Sequence, residues 1–190
     1  WIDGKLPAGI ADHDALVVLG GEQNAIDDAN YPYLPGLAQL MRDFAEADKA
    51  VLGICLGAQI LARAYGAENQ LNAGLEFGWH SVSKSEDGHA DPLLSDLEAD
   101  FTTFQWHYES FALPPGATRV LGNAFTANQA YVVDDRHIGF QCHVEMTEAL
   151  VETWLGTGAR ELPAESMPAM QSAADMRHDL AARVAALHER

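Results

Sequence analysis

Basic residues are scarce in this sequence. Among its 190 residues, Lys and Arg together number 11 and Asp and Glu together number 28, so the formal net charge is −17 at pH 7. A polyanion would be repelled over most of such a surface. We therefore expect neither nucleic acid nor an anionic membrane as a partner.

Cysteines and long apolar runs are also few. The two cysteines, Cys55 and Cys142, are too few for a disulfide framework, and neither belongs to a CxxC pair. No apolar run approaches the ~20 residues of a membrane helix, and no signal-peptide pattern is recognised. These absences predict a cytoplasmic location, and each cysteine has to be considered as a single thiol.

What is present is the composition of a packed globular protein. Hydrophobic residues make up 48% of the chain and charged residues 21%, which excludes a disordered or collagen-like protein. A chain of this length can enclose one hydrophobic core. No internal repeat or long linker interrupts it, so we expect residues 1–190 to form a single domain.

The first part of the chain alternates between apolar strands and amphipathic helices. Residues 15–19 (ALVVL) have the pattern of a parallel strand buried on both faces, and residues 50–55 (AVLGIC) predict a second buried strand. Residues 35–47 and 56–65 carry apolar side chains at helical spacing. This alternation predicts right-handed βαβ crossovers, a mostly parallel sheet and an α/β fold with helices on both faces.

The later part contains short β-like segments separated by turn residues. We expect antiparallel strands here, the last of which returns to the central sheet, followed by a helical tail. The predicted strands are residues 77–84, 101–106, 118–121, 130–133 and 138–142, and the predicted helices are residues 147–155 and 173–190.

Cys55 lies in the segment GICLG, between a predicted strand and a predicted helix. A nucleophile on a sharp strand-to-helix turn needs small residues such as Gly53 and Gly57 two positions before and after it, because the tight backbone leaves no room for side chains. The N-terminus of the helix then favours the thiolate. Taken alone, the pattern also fits a buried structural cysteine whose glycine neighbours allow close packing.

A candidate base and its partner follow another apolar strand. His143 and Glu145, separated by Val144, come directly after the run IGFQC. In extended backbone, residues two apart point to the same side, so the imidazole and the carboxylate can face the thiol together or contact each other. A solvated strand end would carry the same short pattern. Combined with the turn at Cys55, it favours a Cys-His-Glu triad.

Four segments carry a family resemblance: VLGGEQN, VLGICLGAQILARAYGAE, QWHYESFALPPGA and IGFQCHVEMT. In order and spacing they resemble the class I (triad) glutamine amidotransferase domain, particularly free-standing members similar to the glutaminase part of GMP synthase. The resemblance covers about residues 14–154. It implies a flavodoxin-like, three-layer α/β fold with a mixed, mostly parallel central sheet and a nucleophile elbow.

The resemblance also implies roles for individual residues. Cys55 would be the nucleophile, His143 the general base and Glu145 its orienting carboxylate. The backbone amides of Gly21 and Leu56 would hold the oxyanion, and a strand-end glycine and the first amide of a helix are physically suited to that task.

Two further side chains are implied at the substrate. Gln59 would help to bind glutamine, and it lies one helical turn beyond Cys55 on the same face of the predicted helix. His107 resembles a family position near the substrate mouth. The alternative interpretation of Gln59 is an ordinary polar residue of the helix, and that of His107 is a structural histidine.

Several features depart from the family pattern. Val144 replaces the Pro of the usual His-Pro-Glu string, and Glu22 and Gln23 follow the two glycines where many relatives have Pro and a small or apolar residue. Cys142 stands where an aromatic residue is usual, and strand alternation directs it into the core. The strand-helix unit that normally comes before residues 1–14 is expected to be absent.

The expected reaction is hydrolysis of a glutamine amide. The Cys55 thiolate would attack the γ-carboxamide of glutamine or a γ-glutamyl compound, release ammonia or an amine, and leave a γ-glutamyl thioester for hydrolysis. No metal or organic cofactor is expected, and an ammonia-using synthetase would be a separate polypeptide. The alternatives are a γ-glutamyl peptidase or amidase with a larger substrate, and a catalytically silent regulatory subunit.

Overall fold

A computed structural model describes residues 5–7, 9–71, 75–158, 162 and 166–189. Its strands are β1 Ala15–Val18, β2 Ala50–Ile54, β3 Asn69–Gln70, β4 Glu76–Lys84, β5 Asp100–His107, β6 Ser110–Phe111, β7 Thr118–Gly122, β8 Ala130–Val133 and β9 His137–Phe140. Its helices are α1 Leu34–Glu46, α2 Leu56–Ala64, α3 Glu86–Ala90, α4 Glu148–Gly158, α5 Ala173–Arg177 and α6 Leu180–His188, with a 3-10 turn at Pro92–Leu94. The predicted α/β class is confirmed.

Seven of the described strands form one mixed sheet in the order β1-β2-β9-β8-β7-β4-β5. β1, β2 and β9 are parallel neighbours, whereas the remaining pairs, from β9-β8 to β4-β5, are antiparallel. The mixed sheet and the return of the last strand to its centre are as predicted, but the expectation of mostly parallel pairing is wrong for these strands. For β7, β8 and β9 the physical reason is that short loops join these consecutive strands, and a short loop connects antiparallel neighbours.

Helix α1 shows why the sequence pattern predicts helices that cover the sheet. Its apolar stripe, spaced at three and four residues, is buried against α2 and the β1-β2 end of the sheet. The buried side chains of the stripe are Leu37, Leu40, Met41 and Phe44. This layer places the N-terminus of α2 at the carboxyl end of β2, where Cys55 lies.

Strand β8 is covered on both faces. Tyr131 and Val133 belong to the apolar cluster formed with α1 and α2, whereas Ala130 and Val132 lie in a separate cluster with Leu94. Successive residues of a strand point to opposite faces, so β8 lies in the middle layer of a three-layer structure. Helices α4 to α6 form a further apolar cluster with β4 and β5.

Strand β1 differs from its prediction. Leu16 and Val18 are buried, but Val17 and Leu19 are each 56% exposed, so this strand is buried on one face and not on both. β1 is the edge strand of the seven-stranded sheet, and α2 packs against the face that carries Leu16 and Val18.

The expected continuous helix over residues 173–190 is also wrong within the described part of the tail. It is divided into α5 and α6 at Asp179, which has a left-handed backbone with φ 53°. A left-handed residue interrupts a right-handed helix. No helix of the described ranges has the length and apolar character needed to cross a membrane.

Candidate active site

Cys55 occupies a strained turn between β2 and α2. Its backbone has φ 52° and ψ −108°, a region that costs a residue with a side chain about 1–3 kcal/mol. The N–H of Cys55 donates to the carbonyl of Phe140 at 2.7 Å, which anchors the turn to β9. A Cβ atom at Gly53 would lie 2.5 Å from the backbone of Gly57, and one at Gly57 would collide with the carbonyl oxygen of Val18. Both elbow positions therefore require glycine, as the sequence predicts.

Two glycines in the segment directly after β1, Gly20 and Gly21, lie beside the turn at Cys55. A Cβ atom added to Gly20 would lie 3.1 Å from Cε1 of His143 and 3.4 Å from Cβ of Cys55. One added to Gly21 would lie 3.0 Å from the side chain of Leu56. The two residues predicted to supply oxyanion amides, Gly21 and Leu56, are thus neighbours, and their role stays a prediction.

His143 is held in place by its backbone and by its ring. Its N–H donates to the carbonyl of Phe104 at 2.8 Å, and its own carbonyl accepts from the Phe104 N–H at 3.3 Å. The imidazole Nδ1–H donates to Oε1 of Glu145 at 2.7 Å. The rings of His143 and Trp154 form a T-shaped contact with their centroids 4.8 Å apart. The imidazole and the carboxylate therefore contact each other, which is one of the two arrangements that their spacing allows.

The electrostatics of this cluster favour a protonated imidazole. Burial lowers the pKa of His143, but the negative charge of Cys55, together with the hydrogen bond and charge of Glu145, outweighs it and raises the pKa to about 9. For Glu145, burial acts in the other direction and raises the pKa. The hydrogen bond and ion pair with His143 outweigh burial, so the pKa of Glu145 lies below its ordinary value. A thiol, an imidazole and a carboxylate connected in this way can form a thiolate-imidazolium pair.

Cys142 is separate from this cluster. It is fully buried, and its Sγ lies 3.9 Å from the carbonyl of Gln129. Burial raises the pKa of its thiol to about 12, so it stays protonated and unreactive near neutral pH. The interpretation of Cys142 as a packing residue is confirmed.

Gln59 and His107 are both buried in polar surroundings. The side-chain amide of Gln59 donates to the carbonyl of Glu109 and to Oε1 of Gln141, each at 3.2 Å. The Nε2 atom of His107 lies 3.0 Å from Oε1 of Gln105. The structure thus places Gln59 beside the elbow and His107 on β5, and their contact with a substrate stays a prediction.

Sequence reasoning missed the residues that reach the cluster from distant segments. The only sequence feature that could have pointed to Gly20 is the pair of glycines, Gly20 and Gly21, directly after the first strand. The helical pattern of residues 147–155 predicts a helix but says nothing of the contact between Trp154 and His143. Within the described residues, no group of three or more His, Cys, Asp or Glu side chains is arranged to hold a metal ion.

Comparison with known proteins supplies the family. The family described as Glutamine amidotransferase class-I matches residues 5–153. The glutamine amidotransferase-like protein YfeJ of Salmonella typhimurium is 30% identical over 176 residues, which are 90% of this chain and 74% of that protein. A glutamine-hydrolyzing GMP synthase subunit from Sulfurisphaera tokodaii is 28% identical over 149 residues, which are 76% of this chain and 75% of that protein.

Solved structures agree with the sequence comparisons. A glutamine amidotransferase from Methylobacillus flagellatus superposes with a TM-score of 0.89 at 39% identity, covering 97% of this chain and 75% of that one. A glutamine amidotransferase from Thermotoga maritima superposes with a TM-score of 0.79 at 28% identity, covering 98% of this chain and 81% of that one. With its family match, its mixed sheet and its sharp turn at Cys55, the chain belongs to the class I glutamine amidotransferase family.

Proposed function

We propose that this protein hydrolyses the side-chain amide of glutamine, with Cys55 as the nucleophile. The observation that carries the proposal is the connected set of Cys55, His143 and Glu145, in which the thiolate raises the pKa of the imidazole and the carboxylate holds Nδ1 at 2.7 Å. The thiolate attacks the γ-carbonyl carbon of glutamine. The C–N bond breaks, ammonia leaves, and a γ-glutamyl thioester remains on Cys55.

His143 moves the protons in both halves of this reaction. With a pKa of about 9, it is protonated at neutral pH and donates its proton to the departing nitrogen. The neutral imidazole then takes a proton from water, whose oxygen attacks the thioester. Glutamate leaves, and the thiolate-imidazolium pair is restored. Glu145 keeps the proton of Nδ1 in place, so that the other ring nitrogen serves the reaction.

The backbone amides of Gly21 and Leu56 are the proposed oxyanion donors. Leu56 is the first residue of α2, so its N–H is not used within the helix. Gly21 lies beside it. Amides that point at a developing oxyanion stabilise the tetrahedral intermediate without having to reorient during the reaction. Gln59 and His107 remain the proposed substrate-binding side chains.

The proposed fate of the ammonia is transfer to a separate synthetase polypeptide. Its support is that a relative matched over 75% of its length is described as one subunit of a glutamine-hydrolyzing GMP synthase. The second candidate, a γ-glutamyl peptidase, uses the same thioester chemistry and differs only in the leaving group.

The test compares two substrates. Purified protein is assayed for ammonia release from glutamine and for amine release from γ-glutamyl dipeptides, with and without an added synthetase. Slow glutamine hydrolysis that rises with the synthetase is the expected result. Rapid cleavage of the dipeptides without a partner would establish the peptidase instead, and absence of both activities would identify a silent regulatory subunit.

A further inference from the structure

Glu76 is a fully buried carboxylate outside the proposed reaction. It begins β4 and lies directly opposite His107 in the ladder between β4 and β5. Its Oε1 accepts a hydrogen bond from Nδ2 of Asn123 at 2.5 Å, and its Oε2 accepts one from Nε2 of Gln129 at 2.8 Å. Burial raises the pKa of Glu76, and the hydrogen bonds that it accepts from Asn123 and Gln129 act in the opposite direction by favouring the ionised form.

A chain of side-chain amides leads from Glu76 to His107. Gln129 accepts at Oε1 from Nε2 of Gln105 at 3.1 Å, and Oε1 of Gln105 lies 3.0 Å from Nε2 of His107. An ionised carboxylate can only accept hydrogen bonds, so Gln129 must present its NH2 group to Glu76 and its oxygen to Gln105. Gln105 must then present its oxygen to His107. The direction of every bond therefore requires a proton on Nε2 of His107.

The other end of the chain is fixed by backbone groups. Oδ1 of Asn123 accepts from the N–H of Phe125 at 3.0 Å and from the N–H of Thr126 at 2.7 Å. The NH2 group of Asn123 is therefore committed to Glu76. Because Asn123 cannot turn over, the charge state of Glu76 decides the orientation of Gln129 and of every group beyond it.

The strand end beyond this network contacts the elbow at two points. The carbonyl of Trp106 lies 3.9 Å from Sγ of Cys55. The carbonyl of Glu109 accepts the amide of Gln59 at 3.2 Å. His107 lies between Trp106 and Glu109 in the chain, and its hydrogen bond with Gln105 anchors the segment 106–109 beside the thiol.

We propose that Glu76 is a positioning residue of the candidate active site. Its carboxylate orients Gln129 and Gln105, and its Oε2 also lies 3.7 Å from Nε2 of His107; both effects favour a proton on Nε2. The ordered strand end then holds the segment 106–109 in the conformation that receives the substrate. The expected effect on KM for glutamine rests on the proposed function, whereas the expected proton on Nε2 of His107 does not.

The decisive variant is Glu76→Gln, which keeps the shape and removes the charge. Asn123 forces the new amide to present its oxygen to Nδ2, so the new NH2 group faces Gln129. Gln129 and Gln105 must then turn over in sequence, and the NH2 group of Gln105 faces His107. We therefore expect Nε2 of His107 to lose its proton to Nδ1.

Nitrogen NMR of protein carrying isotope-labelled histidine measures this change, with the His107 signal assigned through a His107→Gln variant. The parent protein should show a protonated Nε2, and Glu76→Gln should show an unprotonated one. Glu76→Asp, which keeps an acceptor-only group, should retain the parent pattern. An unprotonated Nε2 in the parent, or an unchanged proton in Glu76→Gln, would overturn the inference. The parent measurement alone decides it if the variant does not fold.

Kinetics separates positioning from general structural support. Glu76→Gln should raise KM for glutamine about tenfold, because reversal of the buried hydrogen bonds alters how His107 anchors the segment 106–109, while alkylation of Cys55 by iodoacetamide changes less than about twofold. Glu76→Asp should recover most of the parent KM. Glu86→Gln, which changes an exposed carboxylate of α3, is the matched control and should alter neither quantity.

Two outcomes oppose the positioning role. If KM and kcat of Glu76→Gln equal those of the parent, the network does not serve the site. If alkylation falls in parallel with glutamine hydrolysis, the variant has disturbed the whole site and not the segment 106–109. A parent protein without glutaminase activity would overturn the proposed function, and the NMR and alkylation comparisons would still decide the role of Glu76.

Discussion

Gly20 packs directly against the imidazole of His143. A Cβ atom on Gly20 would lie 3.1 Å from Cε1 of that ring, closer than side chains normally approach, and 3.4 Å from Cβ of Cys55. The segment directly after β1 thus forms one wall of the site. The close approach leaves no space for a methyl group beside the proposed base, and this can be tested directly.

Gly20→Ala should lower glutamine turnover about tenfold, because the new methyl group displaces the imidazole by a few tenths of an ångström from Cys55. Steady-state assay and thermal unfolding are measured together. Gly156→Ala on α4 is the control, since a Cβ there meets nothing within 4 Å. This control should keep its activity and gain up to about 1 kcal/mol of stability. Equal activity of the two variants would show that the contact is unimportant.

Cys55→Ala should abolish hydrolysis, since it removes the only proposed nucleophile, and should leave the fold intact. Cys142→Ala is its natural counterpart, because the thiol of Cys142 is buried and its pKa is raised to about 12. It should keep most of the activity and lose about 1 kcal/mol of stability through the small cavity. Ammonia release and mass spectrometry of protein treated with a glutamine-derived chloromethyl ketone are the measurements. Similar losses in both variants would refute the assignment of Cys55.

Glu145→Gln should lower kcat by about ten- to a hundredfold, less than the loss in Cys55→Ala. The amide cannot stabilise an imidazolium as a carboxylate does, but the thiolate keeps its place at the N-terminus of α2. The affinity for glutamine should change little, so the effect should appear in kcat and not in KM. A variant as active as the parent would remove Glu145 from the proposed mechanism.

The pH dependence of stability should report on His143. Its pKa in the folded protein is raised from 6.5 to about 9, so the stabilisation is fully present below pH 6.5 and is lost as the pH rises through about 9. Cys55→Ala removes the negative charge that contributes most to raising this pKa, so its loss of stability should occur at lower pH. NMR titration of the imidazole and thermal unfolding at several pH values provide the check. An identical His143 midpoint in parent and Cys55→Ala would contradict this account.

Local patterns are sufficient for the parts of the site that lie close together in the sequence. The strand, the turn and the helix around Cys55 follow from an apolar run, two glycines and helical spacing. The separation of His143 and Glu145 by one residue allows their contact as one of two arrangements, and the structure has that one. Each depends on backbone geometry within a few positions, and such geometry is encoded locally.

Other features depend on which strands become neighbours. The sequence pattern of β1 predicts burial on both faces, but its place at the sheet edge leaves Val17 exposed. Similarly, an apolar strand pattern does not reveal whether its neighbour runs parallel or antiparallel, so the later part of the sheet differs from the expectation of mostly parallel pairing. Sheet order and register come from contacts across the whole chain.

By itself, then, the sequence determined the elbow, the His-Glu pair and the family to which the chain belongs. Only the tertiary structure decided that no space for a Cβ atom separates Gly20 from His143, that Phe104 holds the backbone of His143, and that Glu76 lies at the origin of a buried network ending at His107. These contacts join residues that are far apart in the chain. They exist because strand order and register bring the residues together, and no local pattern of side chains specifies either one.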